Sequence, residues 1–217
     1  MKVFNAFLAG MAITGLVACG EQEGDPDLLT QAAGLVINTN TQVRTPRSSS
    51  VPDEELLNNP GKYLRINVRD IGTFDSLQTV GTNGARTTWI GASGVSVTVE
   101  DGVVVATRGL PRDLMGADAR QTVNAIQQGG GTSVRVHDFL TDQDQITQYR
   151  LDCTIEIKGA EPVTRLGQSI PAIRFEELCR SDGLTLTNVY WMDANRSIIR
   201  SLQAVSPDAG YLQLDAF

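Results

Sequence analysis

The sequence offers few groups of residues whose types and spacing could support catalysis. Glu176 and Glu177 could include a glycosidase carboxylate, but neighbouring strand residues face opposite ways and cannot converge on one bond. His137, the only histidine, stands beside Asp138, and no Gly-x-Ser-x-Gly nucleophile elbow accompanies it. The sequence therefore predicts no catalytic residue and no enzyme. A glycan hydrolase would need a second carboxylate supplied by another strand.

Metal binding is also weakly supported by the residue pattern. Asp142 and Asp144, in the run at residues 141–145, echo part of a calcium loop. The run lacks the central glycine and the distal bidentate glutamate of an EF-hand, so we expect a solvated turn. Two thiols and one distant histidine are too few for a zinc site. We predict neither a metal nor another cofactor.

Three aromatic residues could bind a glycan. Trp89, Tyr190 and Trp191 have flat rings that suit the apolar faces of sugar rings. Consecutive strand residues point to opposite faces, so at least one of Tyr190 and Trp191 should lie in the core. Trp89 is followed by the apolar Ile90. Core packing is therefore the favoured explanation for each ring, and glycan contact is the alternative.

Cys19 stands in a pattern that directs lipid attachment. A positive residue, Lys2, precedes the mostly apolar residues 3–17, a length that suits a signal peptide. Leu16-Val17-Ala18-Cys19 then matches the lipobox of bacterial lipoproteins, in which the cysteine is acylated and becomes the first residue. An ordinary signal peptide with a chance cysteine is the alternative. Gly20 rather than aspartate after the cysteine indicates sorting to the outer membrane.

The other two cysteines, Cys153 and Cys179, form an even pair in a chain predicted to be exported. Cysteines in an oxidising compartment usually pair. We predict a structural disulfide between them that stabilises the fold by about 3 kcal/mol.

Charge and composition define the remaining segments and exclude some partners. The net charge of −7 argues against nucleic acid as a partner. Residues 20–27 contain four acids, two glycines and a proline, which predicts a solvated tether. We divide the chain into a signal peptide at 1–18, a lipidated cysteine and tether at 19–27, and one β-rich domain at 28–217. The acyl chains would hold that domain at the membrane.

The sequence of the domain predicts a series of hairpins. Val95, Val97 and Val99 alternate with polar residues, and Asp101-Gly102 precedes a second β-branched run, which predicts a hairpin with a two-residue turn. A loop at residues 81–84, a departure from the sheet at 110–115 and a helix at 117–128 are also predicted. About eleven or twelve strands indicate an all-β, antiparallel barrel-like or sandwich domain, with short helices near its N-terminus and mid-chain. With only 6% aromatic residues, the strands lack the aromatic girdles of a membrane-spanning barrel.

Several short motifs occur in a recognisable order. Thr88-Trp89-Ile90 is followed by residues 103–111, Asn188-Val189-Tyr190-Trp191 and Ser201-Leu202-Gln203, with the lipobox upstream. From Lys62 onward the chain resembles the YjbF/GfcB-type lipoproteins of group 4 capsule polysaccharide systems. The resemblance implies an outer-membrane lipoprotein with a barrel-like domain facing the periplasm. It also implies an accessory role in exopolysaccharide or capsule secretion, with export proteins or the polysaccharide as partners.

A second function stays open at this point. A barrel could carry a lipid or lipid-linked glycan inside it, in a cavity lined by residues such as Val97, Val105 and Ile199. A filled barrel would exclude this alternative.

Overall fold

The computed structural model describes residues 50–141 and 143–217. Two short helices, α1 (Asp53–Asn58) and α2 (Arg120–Gln127), accompany the strands in this part of the chain. A single 3₁₀ turn lies at Arg69–Ile71. The strands are β1 (Tyr63–Val68), β2 (Thr73–Asn83), β3 (Arg86–Ile90), β4 (Ser96–Glu100), β5 (Val103–Arg108), β6 (Leu114–Asp118), β7 (Gly131–Leu140), β8 (Ile146–Ala160), β9 (Val163–Arg165), β10 (Gln168–Ile170), β11 (Ile173–Ser181), β12 (Leu184–Met192), β13 (Ile198–Ser206) and β14 (Gly210–Ala216).

Twelve strands form one antiparallel sheet in the order β5-β4-β3-β2-β1-β14-β13-β12-β11-β8-β7-β6, and β9 and β10 form a separate hairpin. The two end strands, β5 and β6, lie against each other, so the sheet curls into a nearly closed barrel. The all-β, barrel-like prediction is confirmed. The predicted Cys19 anchor, the signal peptide and the tether lie outside the described residues. No helix in the described part of the chain is long and apolar enough to cross a membrane.

Within the residues that the structure describes, no β-ladder joins the end strands β5 and β6. Side-chain hydrogen bonds complete the closure of the barrel between them. The Arg108 guanidinium donates to the carbonyl oxygens of Leu114 and Met115, each at 3.1 Å. From inside the barrel, the Gln203 side-chain oxygen accepts from the Val104 amide at 2.9 Å. An unpaired strand edge presents open donors and acceptors, and these bonds satisfy two carbonyl oxygens of β6 and one amide of β5.

The interior follows the alternation read from the sequence. On β1, Leu64, Ile66 and Val68 are buried, while Arg65 and Asn67 lie on the opposite face. Period-two alternation places one set of side chains in the core because successive strand residues point to opposite faces.

Three sequence predictions were wrong in detail. Strand β2 runs through the predicted loop to Asn83, and the turn is Gly84-Ala85. Strand β6 occupies part of the segment predicted to leave the sheet, and α2 begins only at Arg120. A shift in the β6–β7 pairing between Leu114 and Gly116 breaks the alternation of β6 and conceals the strand.

The predicted hairpin turn between β4 and β5 is present. Asp101 and Gly102 have φ values of 48° and 85°, as a type I′ turn requires at both positions. A Cβ added at Gly102 would lie 2.6 Å from the Ile198 Cβ. The turn therefore needs glycine both for its backbone conformation and for the close approach of β13.

Replacing Gly102 should be more harmful than replacing a glycine that meets only the backbone requirement. Gly84, with φ of 60° and no atom within 4 Å of an added Cβ, is the matched control. We expect Gly84→Ala to cost about 1 kcal/mol of unfolding free energy from the strained backbone. Gly102→Ala should cost clearly more because Ile198 must also move. Urea denaturation measures both, and equal losses would contradict the packing argument.

Candidate functional site

The barrel sheet opens between β12 and β13. Their ladder pairs Met192 with Ile198 at one end and ends at Val189 and Leu202. Beyond that pair β12 continues back to Leu184 and β13 continues to Ser206, with no further pairing between them among the described residues. Each strand keeps its other neighbour, β11 or β14. The two strands thus separate towards the end of the barrel that carries the β11–β12 and β13–β14 turns.

Side chains bind backbone amides along the separated edges. The Asn188 side-chain oxygen accepts from the Ala204 amide at 2.8 Å. The Tyr211 hydroxyl oxygen accepts from the Thr187 amide at 3.3 Å. A buried amide without a partner would cost about 1–3 kcal/mol. These bonds therefore stabilise the separated arrangement of the two strands.

A cavity of about 450 Å³ lies at this opening. Most of its lining is apolar and comes from strands on both sides of the opening. The lining residues are Asp70, His137, Phe139, Tyr149, Leu151, Leu184, Thr185, Leu186, Ala204, Val205, Ser206, Pro207, Gly210 and Tyr211.

The predicted disulfide is formed between Cys153 on β8 and Cys179 on β11. The two half-cystines pack with Leu151, Leu186 and Ala204, which line the cavity. The disulfide therefore links two neighbouring strands directly behind the cavity wall.

His137 is a polar residue in this apolar wall. Its side chain is 4% exposed, and its Nε2 atom has no hydrogen-bond partner among the described residues. Burial, reinforced by the positive charge of Arg135, lowers the pKa of His137 to about 3. The imidazole is therefore neutral at physiological pH, with one nitrogen unpaired.

A buried ion pair lies next to His137 along the inward face of β7. Arg135 and Glu177 are 1% and 0% exposed, and the Arg135 Nη1 atom lies 2.9 Å from the Glu177 Oε2 atom. Tyr190 and Asn188 also donate to Oε2, at 2.8 and 2.7 Å, and Thr122 donates to Oε1 at 2.6 Å. The carboxylate thus receives bonds from four side chains.

These contacts determine the charge of the buried pair. Burial alone would raise the pKa of Glu177, but Arg135 and the donated hydrogen bonds outweigh it, and the pKa lies below its usual value. Burial and the Glu177 charge raise the pKa of Tyr190 well above 10.0. At neutral pH Glu177 is therefore ionised and Tyr190 is neutral, so the phenol can donate its proton in a hydrogen bond.

The three aromatic glycan candidates do not form one surface. Tyr190 lies in the buried network and is 0% exposed, and Trp89 is buried in the main core. Trp191 lies on the opposite face of β12, where its ring packs against Val163 and Ile199 and its Nε1 donates to Glu161 at 3.1 Å. Tyr190 and Trp89 are therefore core residues. Of the three candidates, only Trp191 has a partly exposed ring.

The other candidate positions are also separated from one another. Glu177 points inward while Glu176 is partly exposed, as the strand argument required. Asp144 lies in the β7–β8 turn, and Asp142 falls outside the described residues. Cys153, Glu177 and Cys179 are close enough to hold a metal ion, but the two sulfurs are bonded to each other.

The prediction of which residues would line a ligand cavity was wrong. Val97 and Val105 lie in the main core and Ile199 packs in another cluster, away from the cavity lining. The cavity forms where two strands separate, and no periodic pattern in the sequence marks that point. His137, the only histidine, was the available signal in the sequence, but only the structure shows that it is buried in the cavity wall.

Comparison with known proteins identifies the family. Residues 35–217 match the family described as group 4 capsule polysaccharide lipoprotein GfcB, YjbF. The chain therefore belongs to the YjbF family of capsule-associated lipoproteins. A search of curated proteins finds no match.

A solved structure shares the fold. The chain is similar to the crystal structure of the hypothetical lipoprotein YmcC from Escherichia coli K12, with a TM-score of 0.61 and 15% sequence identity. The match covers 71% of this chain and 84% of YmcC.

Removing one partner of the buried ion pair should be strongly destabilising. Arg135→Leu leaves the Glu177 charge buried without its cation, and we expect a loss of about 3–5 kcal/mol in unfolding free energy. The exposed pair Arg120–Asp118 supplies the control. Chemical denaturation of Arg135→Leu and Arg120→Leu tests this, and similar midpoints for both variants would contradict a structural role for the pair.

The buried histidine should make stability depend on pH. His137 takes up a proton near pH 6.5 when unfolded but only near pH 3 when folded. The unfolded state therefore binds more protons between these values. The contribution of His137 to the unfolding free energy is therefore fully present above pH 6.5. On acidification it falls by up to about 1.4 kcal/mol per pH unit.

His137→Phe removes this source of pH dependence. Because the chain has one histidine, the difference in slope between the two proteins from pH 6.5 to 5 isolates its contribution. Urea unfolding across that range measures the slope, and identical slopes would show that His137 is not buried in its neutral form.

Proposed function

We propose that this protein is an outer-membrane-anchored lipoprotein that acts as an accessory scaffold or binding factor in capsule or exopolysaccharide secretion. Membership of the capsule lipoprotein family across residues 35–217 carries the proposal. The lipobox ending at Cys19 supports attachment through acyl chains, and Gly20 supports the outer membrane as the destination. The barrel domain would then face the periplasm, where it meets export proteins or the polysaccharide.

A binding or scaffolding role fits the chemistry of the barrel better than catalysis does. The buried carboxylate of Glu177 is held by Arg135 and three further donors, which favours a fixed structural charge. Trp191 is the best remaining candidate for glycan contact because its ring is partly exposed and Arg174 lies 6.0 Å from the ring centre. These features suit recognition of a partner.

The proposal is tested in a strain that lacks this protein. We expect secreted and surface polysaccharide to fall, and the native chain to restore it. Cys19→Ala should not restore it, because the unprocessed precursor carries no acyl chains with which to anchor in the outer membrane. Quantifying polysaccharide in the medium and on cells measures export.

Protein level and lipid attachment must be measured in the same strains. The native chain should incorporate labelled palmitate and fractionate with the outer membrane, and Cys19→Ala should be present in equal amount without label. Unchanged export in the deletion strain would reject the capsule role. Full restoration by unlabelled Cys19→Ala would reject the need for an anchor.

A further inference from the structure

The cavity between β12 and β13 has the size and composition of a small-molecule site. Its volume of about 450 Å³ falls within the range of roughly 300–1,000 Å³ found for ligand pockets. Its wall is largely apolar, with Leu151, Leu186 and Val205 among the lining side chains. Such a wall favours a hydrocarbon chain over a sugar, because each hydroxyl buried there would lose its bonds to water.

The opening is built into the fold. The Asn188 and Tyr211 side chains bind the amides of Ala204 and Thr187 along the separated edges. The Cys153–Cys179 disulfide fixes the strands behind the wall. A ligand would therefore enter a site whose strands are already separated, which reduces the ordering cost of binding.

One polar atom in the wall lacks a partner. His137 lines the cavity and is 4% exposed, and its Nε2 has no hydrogen bond within the described chain. A buried polar atom without a partner is costly, and a ligand atom that bonds to it would recover that loss. A neutral imidazole nitrogen can donate or accept, depending on the tautomer.

The charges around the cavity select against an anion. Asp70 is part of the lining, and no lysine or arginine lines the cavity in the described residues. Arg135, adjacent to His137 on the inward face, is already paired with Glu177. An uncharged oxygen on the ligand therefore suits the site better than a carboxylate or phosphate.

We propose that this cavity binds an amphiphile with one alkyl chain and one uncharged oxygen. The hydroxyl or carbonyl oxygen bonds to the His137 imidazole, and the chain packs against Leu151, Leu186 and Val205. The inference stands on the cavity itself and does not depend on the capsule role.

Displacement of a fluorescent reporter tests the site. The mature chain, residues 19–217 with Cys19→Ala, is used in detergent-free buffer, so that neither the signal peptide nor an acyl chain competes for the cavity. N-phenyl-1-naphthylamine reports occupancy, and octan-1-ol, 1-chlorooctane and octanoate compete with it. We expect octan-1-ol and 1-chlorooctane to displace the reporter, and octanoate to do so least effectively.

A variant whose cavity is filled by a larger side chain should bind the reporter less tightly. Ala204 lines the cavity, whereas Ala194 lies exposed in the turn between β12 and β13 at the opposite end of the strands. Ala204→Trp should weaken reporter binding at least tenfold, and Ala194→Trp should leave it unchanged. Equal binding by both variants, with both folded by thermal melting, would overturn the proposal.

A second variant isolates the polar contact and keeps the test valid if Ala204→Trp does not fold. His137→Leu should weaken octan-1-ol about tenfold relative to 1-chlorooctane, the equivalent of one hydrogen bond of about 1.4 kcal/mol. The apolar competitor should still bind. An unchanged ratio between the two competitors would reject His137 as the polar anchor. Preference for octanoate would reject an uncharged ligand.

Discussion

The buried ion pair between Arg135 and Glu177 is the constraint on which the barrel interior depends. Two charges removed from water are tolerated only when each is paired and their remaining hydrogen-bonding groups are satisfied. Glu177 achieves this with donors from β7, β12 and α2. The Arg135 guanidinium also donates to Tyr190 at 3.1 Å and to the Val104 carbonyl oxygen on β5 at 3.3 Å. One charged group thereby connects strands that are distant in sheet order across the interior.

The same network explains why the sheet can open without losing its order. Asn188 donates to Glu177 with its amide nitrogen and accepts from the Ala204 backbone with its oxygen. The side chain that satisfies the buried carboxylate therefore also stabilises the separated edge of β13. Because these contacts share one amide group, the position of the opening is tied to the position of the buried charge.

The sequence predicted those parts of the fold that follow simple local rules. Alternation of valines and the Asp101-Gly102 turn marked a hairpin, and the even pair Cys153 and Cys179 marked a disulfide. It failed where the inward residues are polar. Asp75, fully buried on β2 with hydrogen bonds from Ser93, interrupts the apolar alternation that marks a strand.

The candidate site was harder to predict because it depends on partners far apart in the chain. Arg135, Glu177 and Asn188 each look like solvent-facing positions when their segments are considered alone. They become core residues only because β7, β11 and β12 point them into one interior. The cavity likewise arises from a ladder that ends early, and the position of that end is set by tertiary contacts.

The contacts of Glu177 and of His137 inside the barrel favour a binding role for this interior over a catalytic one. A general acid at neutral pH needs a carboxyl whose pKa is raised, whereas the contacts of Glu177 lower its pKa. Apart from the Arg135 Nε atom, which is buried without a hydrogen-bond partner in the described residues, the polar groups of the network bind one another and stabilise the fold. His137 differs because it is neutral, unpaired and placed in an apolar wall. A single hydrogen-bonding atom in such surroundings can orient a ligand.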